Sequence, residues 1–257
     1  MKKRINIKNK VIPILFQIIL LFIWQLVVDR GVIERYILPS PIDVISALID
    51  ILPNIKVHIY ITLKEAMLGF IISIILAVIL ALLMDNVKII RRSIYPILVI
   101  SQTIPIIVLA PLFAMWFGFG MQPKIIIVVL VCFFPIVISL MDGLNSVDKD
   151  MINLLKSMGA NKLQIFKIVK FPASIVNFFS GLRIAATYSI MGAVIGEWVG
   201  ADKGLGFYMI RVKHSFAIDK VFAVVLIIIA LSMVLFGILY LIQYILMPWN
   251  RNSNIDS

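Results

Sequence analysis

Charge is scarce in this chain. Only 14% of its 257 residues are charged, 62% are hydrophobic, and the mean hydropathy is +1.08. A soluble domain of that length cannot hide so much apolar surface. Cysteine occurs once, as Cys132 inside an apolar run, which excludes an intrachain disulfide and reads as packing. The two histidines, His58 and His214, lie far apart without metal-ligand spacing, so no metal site is expected. A G-x-x-x-x-G-K-[ST] loop is missing, and with it the usual cradle for ATP phosphates. No Ser/His/Asp set falls on one face, so neither catalytic nor cofactor-binding residues are expected. Period-two alternation is missing too, which excludes barrel strands.

What is there is a series of apolar runs, each able to cross a bilayer at about 20 residues per helix. The chain reads as an all-α integral membrane protein with six spans, at about 11–28, 59–84, 94–117, 125–141, 175–199 and 221–247. Residues 1–10 form a basic N-terminal tail, 11–247 the membrane domain and 248–257 a short C-terminal tail. A cleaved signal peptide is the rival reading of the first run, but Asp29 and Arg30 follow it in place of small residues, so a retained span is expected. Gln17 and Gln25 in that span are expected to face other helices.

The formal charge is +11, and with both termini inside, 15 of the 24 Lys and Arg residues fall on the cytoplasmic side. That sign agrees with the positive-inside rule and points to anionic lipid as a partner, not nucleic acid. The double proline Leu38-Pro39-Ser40-Pro41 forces an extended segment on the outside, followed by a weakly amphipathic stretch, 42–52, lying in the interface. Lys64 and Glu65 are expected at headgroup depth, their charges kept wet by snorkelling.

Two spans carry unusual chemistry. The third holds Pro96, Pro105 and Pro111 with a polar cluster, Ser101-Gln102-Thr103. Prolines remove backbone donors that lipid cannot replace, so this helix is expected to be kinked and buried, either lining a path or serving as a packing helix. The fifth repeats small residues four apart, Gly192, Gly196 and Gly200 beside Ala185, Ser189 and Ala193, the spacing of a close helix–helix contact. Spacing leaves open whether its partner is in the same chain or a second copy. Glu197, beside Trp198, reads equally as an interfacial residue or as part of the path. Arg183 reads as a snorkelling residue or as a hydrogen-bonding brace for the loop before it.

That loop, 145–173, is the longest polar interval. Met151, Leu154, Leu155 and Met158 recur on one face of a short helix, and Gly159 supplies its stop. Asn161 and Gln164 have capping-box spacing for a second helix, which Pro172 is expected to end. The spans on either side place this two-helix elbow in the cytoplasm. A membrane path without its own energy source, with a structured elbow inside, suggests an external motor. A self-sufficient secondary transporter or channel is the alternative, and a membrane anchor or assembly protein a more distant one.

Gly159, Pro172 thirteen residues on, and Gly181-Leu182-Arg183-Ile184-Ala185 together resemble the cytoplasmic signature loop of binding-protein-dependent ABC importer permeases. Leu38-Pro39-Ser40-Pro41, the run from Ile104-Pro105 through Pro111 to Trp116-Phe117-Gly118, and Gly196-Glu197-Trp198 with Gly204-Leu205-Gly206 resemble the nitrate/sulfonate/taurine branch, with its relatives for pyrimidine precursors of thiamine. The family's usual acidic residue falls on Asn153 and its usual two alanines on Leu154 and Leu155.

The resemblance implies a multi-pass subunit of a bacterial inner-membrane importer, not an enzyme. It would pair with a second copy as a homodimer, with two ATPases that bind the ATP, and with an extracytoplasmic solute-binding protein. The elbow would be the coupling helix, with Met151, Asn153, Leu154, Leu155, Met158, Gly159, Ala160, Pro172 and Arg183 meeting or bracing the ATPase. Ser101, Gln102, Thr103, Pro105, Ser189, Gly192, Gly196 and Glu197 are the expected residues of the path and its helix interfaces. The resemblance implies a sulfonate-, nitrate- or taurine-type anion, or a pyrimidine precursor, as the solute.

Overall fold

The computed structural model describes residues 7–248. Helices fill most of that range, and among the described residues there is no strand. In order they are α1 (Ile7–Asp29), α2 (Pro41–Asn86), α3 (Lys88–Ser101), α4 (Ile106–Phe117), α5 (Met121–Asn145), α6 (Lys149–Ser157), α7 (Lys162–Ile165), a π turn (Phe166–Lys170), α8 (Phe171–Glu197), α9 (Leu205–His214) and α10 (Ile218–Leu246). Five helical runs are long and apolar enough to cross a membrane, and α3 with α4 makes a sixth if that bent pair is one span. The two expected tails fall largely outside the described residues.

Contacts divide the chain into two compact units, one made of residues up to Lys56 with Tyr208–Ile227, the other of Val57–Phe207 with Ile228 onward. In the first, Ser40 and Asp43 cap α2 reciprocally: Asp43 N–H donates to Ser40 Oγ (3.2 Å) and Ser40 N–H to Asp43 Oδ2 (3.1 Å). Pro41 sits at the first helical position, where its missing N–H costs nothing. The stretch 42–52 is therefore the first turns of α2, not a separate interfacial element, and Pro53 lies inside one 46-residue helix. Gln25 donates to Asp29 (2.8 Å) and accepts from Ile42 N–H (3.4 Å), as a helix-facing glutamine should. Gln17 does not follow that expectation; it lies on an exposed face of α1.

The second unit is built on α5 and α8. Ala185, Ala186, Ile190 and Ala193 of α8 are fully buried, as are Val128, Cys132, Ile136 and Val137 of α5. The partner that spacing left open is α5 of the same chain. A Cβ on Gly192 would meet Val131 Cγ2 at 2.7 Å, and one on Gly181 would meet Ser139 Cβ at 2.7 Å and Pro135 O at 2.8 Å. Cys132 is packing, as expected; its thiol donates to Ala185 O (3.2 Å).

The third span departs from expectation. It is two helices bent by 101° at the break between Ser101 and Ile106, and most of its surface is exposed, with only Leu98, Ala110 and Ala114 buried. The reason is local. Pro105 forces an extended residue before α4, and Ser101 Oγ and Thr103 Oγ1 turn back onto the carbonyls of Ile97 (2.5 Å) and Ile100 (2.7 Å). The broken backbone thus finds partners within its own segment instead of from neighbours.

These close approaches predict opposite outcomes for two Gly→Ala changes. Gly181→Ala should destabilise by about 1–3 kcal/mol through overpacking against α5. Gly237→Ala, in α10 with open space around the added carbon, should be neutral or stabilising by up to about 1 kcal/mol. Thermal unfolding of the detergent-solubilised protein reads both.

Candidate functional site

The elbow between α5 and α8 is assembled by three local devices. Asp148 caps α6 by accepting Asp150 N–H (2.8 Å). At the other end Gly159 takes φ +83°, and Gly159 N–H and Ala160 N–H donate to the carbonyls of Lys156 (2.9 Å) and Leu155 (3.0 Å), a Schellman stop. Nothing lies within 4 Å of a Cβ built on Gly159, so conformation and not crowding demands glycine there. The capping box forms as read, with Gln164 N–H to Asn161 Oδ1 (2.9 Å) and Asn161 N–H to Gln164 Oε1 (2.7 Å).

Pro172 behaves differently from expectation. It opens α8 instead of ending the second helix, since proline is tolerated in a first helical turn. The preceding residues widen into the π turn, where Phe171 N–H reaches back to Phe166 O. The result is one helical run from Lys162 to Glu197.

No residue of α6 is buried. Met151, Leu154 and Met158 are 51%, 62% and 74% exposed, Leu155 is half-buried, and Asn153 is exposed beside them. Three of the four side chains of the apolar face are therefore left exposed among the described residues. What anchors the elbow is an ion pair that sequence reading missed, Lys170 Nζ to Asp85 Oδ1 of α2 at 2.5 Å. The two are 85 positions apart, and no local pattern links them. Arg183 is not the brace: it donates to Ser180 of its own helix (3.3 Å) and lies over the Phe236 ring of α10 (5.8 Å).

A cavity of about 410 Å³ opens at the break of the third span. Ser101 and Gln102 line it, facing Phe134 and Pro135 of α5 and Tyr188 and Met191 of α8. Thr103 and Pro105 flank it at the bend. Ser189, Gly192 and Gly196 lie elsewhere, in the seam with α5: Ser189 is fully buried, and a Cβ on Gly196 would meet Lys124 Cα at 3.1 Å.

Glu197 belongs to neither group. It is 1% exposed at the end of α8, accepting Thr62 Oγ1–H (2.6 Å) and Gly206 N–H (2.6 Å). Thr62 accepts Leu205 N–H in turn (2.8 Å), so α2 and α8 together satisfy the first donors of α9. Gly204, at φ +123°, leaves room for the Glu197 carboxyl where any side chain would collide with it. Its N–H donates to His58 Nδ1 (3.0 Å), and the imidazole stacks on Phe207 (6.1 Å). Gly196-Glu197 and Gly204-Leu205-Gly206 are thus one buried cap.

One turn along α2, Glu65 is 2% exposed and its Oε1 takes Lys124 Nζ of α5 at 3.0 Å. It is not a snorkelling residue at the headgroups, although Lys64 is exposed. Removing one partner of such a pair leaves a buried charge alone, so Lys124→Met should destabilise by about 3–5 kcal/mol, and Lys124→Met with Glu65→Leu should recover most of it. Thermal unfolding of the three proteins checks the cycle.

The sequence matches the family model described as "Binding-protein-dependent transport system inner membrane component" over residues 69–252. It is 38% identical over 242 residues, 94% of this chain and 96% of the relative, to the formylaminopyrimidine transport permease protein ThiX of Halalkalibacterium halodurans. It is 27% identical to the putative aliphatic sulfonates transport permease protein SsuC of Bacillus subtilis (93% of this chain, 87% of the relative). It is also 27% identical to the taurine transport system permease protein TauC of Escherichia coli (90% and 87%). Such proteins are transport components, not enzymes, and the family implies an ATPase and a substrate-binding protein as partners. The chain belongs to the binding-protein-dependent ABC permeases, as a multi-pass inner-membrane component of the nitrate/sulfonate/taurine branch.

Proposed function

We propose that this permease moves a small pyrimidine precursor of thiamine into the cytoplasm, driven by ATP hydrolysis in a separate ATPase that couples through the elbow. The observation that carries the coupling is the unpartnered apolar face of α6. Three exposed large side chains on one face, held by a cap, a Schellman stop and an ion pair, form a firm knob awaiting a cleft on another protein. Both termini and the elbow lie in the cytoplasm, two copies form a homodimer over two ATPases, and an extracytoplasmic binding protein delivers the solute. ATP is held by the ATPase; this chain needs no cofactor of its own. Family membership favours this external motor over a self-sufficient carrier.

The solute follows from two observations. ThiX is a relative at 38% identity, against 27% for the sulfonate and taurine proteins. The cavity at the break of the third span is lined by hydroxyl, amide, aromatic and apolar groups, with no cationic side chain to receive an anion. Gln102 and Tyr188 are suited to a planar, neutral, hydrogen-bonding ring.

Gly159→Pro should abolish coupling, since proline cannot adopt φ +83°, while leaving membrane insertion intact. Leu154→Asp should weaken ATPase binding by about 1–3 kcal/mol through loss of apolar burial. ATPase stimulation and uptake in proteoliposomes containing the ATPase and binding protein are the measurements; wild-type stimulation by both variants would remove the elbow from the mechanism. Uptake of formylaminopyrimidine, with taurine and an alkylsulfonate as contrasts, tests the solute.

A further inference from the structure

A second cleft, of about 670 Å³, lies between the end of α2, the start of α3 and the elbow. Four lysines line it, Lys88, Lys156, Lys162 and Lys170, against a single carboxylate, Asp85. Asp85 is already engaged by Lys170 at 2.5 Å. Lys88, Lys156 and Lys162 have no ion-pair partner among the described residues. All three are exposed and therefore solvated, and with three like charges lining one concavity the cleft attracts an anion. Its apolar floor is Ile165, which is buried, with Ile152 and Phe166 half-buried beside it.

Ile152 and Lys156 are four apart, on a side of α6 turned away from Met151, Leu154 and Met158. The cleft and the apolar knob are therefore separate surfaces of the same short helix. The cleft also lies where the apolar run of α2 stops at Asp85-Asn86 and Lys88 begins α3, the depth at which a helix leaves hydrocarbon for headgroups.

We propose that this cleft binds the phosphate of an anionic phospholipid, with Lys88, Lys156 and Lys162 as its ligands and the apolar floor taking the glycerol and upper acyl carbons. Lysine meets phosphate as a compact point charge without requiring fixed bidentate geometry, which suits three long side chains converging from three elements. The bound lipid would clamp the elbow to the end of α2 beside the Lys170–Asp85 pair. The proposal rests on the cytoplasmic placement of the elbow only for the choice of leaflet.

Native mass spectrometry of the full-length permease in detergent, without ATPase, tests it with phosphatidylglycerol and phosphatidylcholine as probes. Phosphatidylglycerol should be retained over phosphatidylcholine, and the K88Q/K156Q/K162Q variant should lose about tenfold or more in retention, at roughly 1 kcal/mol for each lysine. The corresponding triple Arg variant should keep it, showing that charge and not fold is the cause. K149Q/K167Q, which removes two elbow lysines outside the cleft, should leave retention unchanged. Equal retention by the triple Gln variant, or equal loss in K149Q/K167Q, would overturn the site. Millimolar inorganic phosphate should not displace the lipid; full displacement would assign the cleft to a soluble phosphate instead and overturn the lipid. Because no ATPase is present, failure here leaves the coupling role of α6 standing, and failure of the Gly159→Pro test leaves this site standing.

Discussion

Everything in the larger unit hangs on how closely α5 and α8 approach. In hydrocarbon no hydrophobic force draws two helices together, so their association depends on packing and on whatever polar groups they share. Gly181, Gly192 and Gly196 remove the side chains that would hold the two axes apart, and Ala185, Ala186 and Ala193 fill the rest of the seam without widening it. Three functional regions are spaced along this one contact. Lys124 and Glu197 stand at one end, Phe134 and Pro135 face Tyr188 and Met191 midway, and the elbow joins the helices at the other. The elbow is the connection of a stiff helical hairpin, not a free loop.

The buried polar groups at the far end are expensive in a membrane protein, and their partners offset much of that cost, although Glu65 Oε2 has no hydrogen-bond partner among the described residues. An uncapped α9 would leave donors of Leu205 and Gly206 inside the protein, each costing several kcal/mol without water. Thr62 Oγ1 and the Glu197 carboxyl accept those donors. Glu65 and Lys124 neutralise each other beside this cap. Because Thr62 and Glu65 come from α2, Lys124 from α5 and Glu197 from α8, the polar cluster ties α2 to both helices of the seam.

Local grammar in the sequence was legible, and long-range pairing was not. The stop at Gly159, the Asn161–Gln164 box and the small-residue seam each follow from residues a few positions apart, and each is present. Pro172 misled because a proline that forbids one helical hydrogen bond can be absorbed by a π turn as well as by a helix end. Glu65 misled because a charge near the end of an apolar run looks interfacial unless its partner is known, and Lys124 lies 59 positions away. The third span was read as kinked and buried; Pro105 and the Ser101 and Thr103 hydroxyls instead break it and satisfy the break locally. The Glu65–Lys124 pair is one that spacing does not encode, whereas at Pro172 and in the third span two local solutions compete for the same residues.

The π turn bears on how motion at the elbow would reach the cavity in the proposed mechanism. From Lys162 to Glu197 the chain is one helical run, so a displacement of α7 is carried up α8 to Tyr188 and Met191 rather than lost in a flexible joint. The π turn is the compliant point, since its widened ring packs hydrogen bonds less well than the α-helix around it. Lys170, inside that turn, is tied to Asp85 at the end of α2. A push on the elbow must therefore either bend the run at residues 166–170 or carry α2 along with α8. At the far end of α8, Glu197 accepts a hydrogen bond at 2.6 Å from Thr62, near the middle of α2. With α2 tied to the π turn at Asp85 and to the end of α8 at Thr62, the softer response in that mechanism is for the pair to move as one body, while the broken third span, held by few buried contacts, yields beside the cavity.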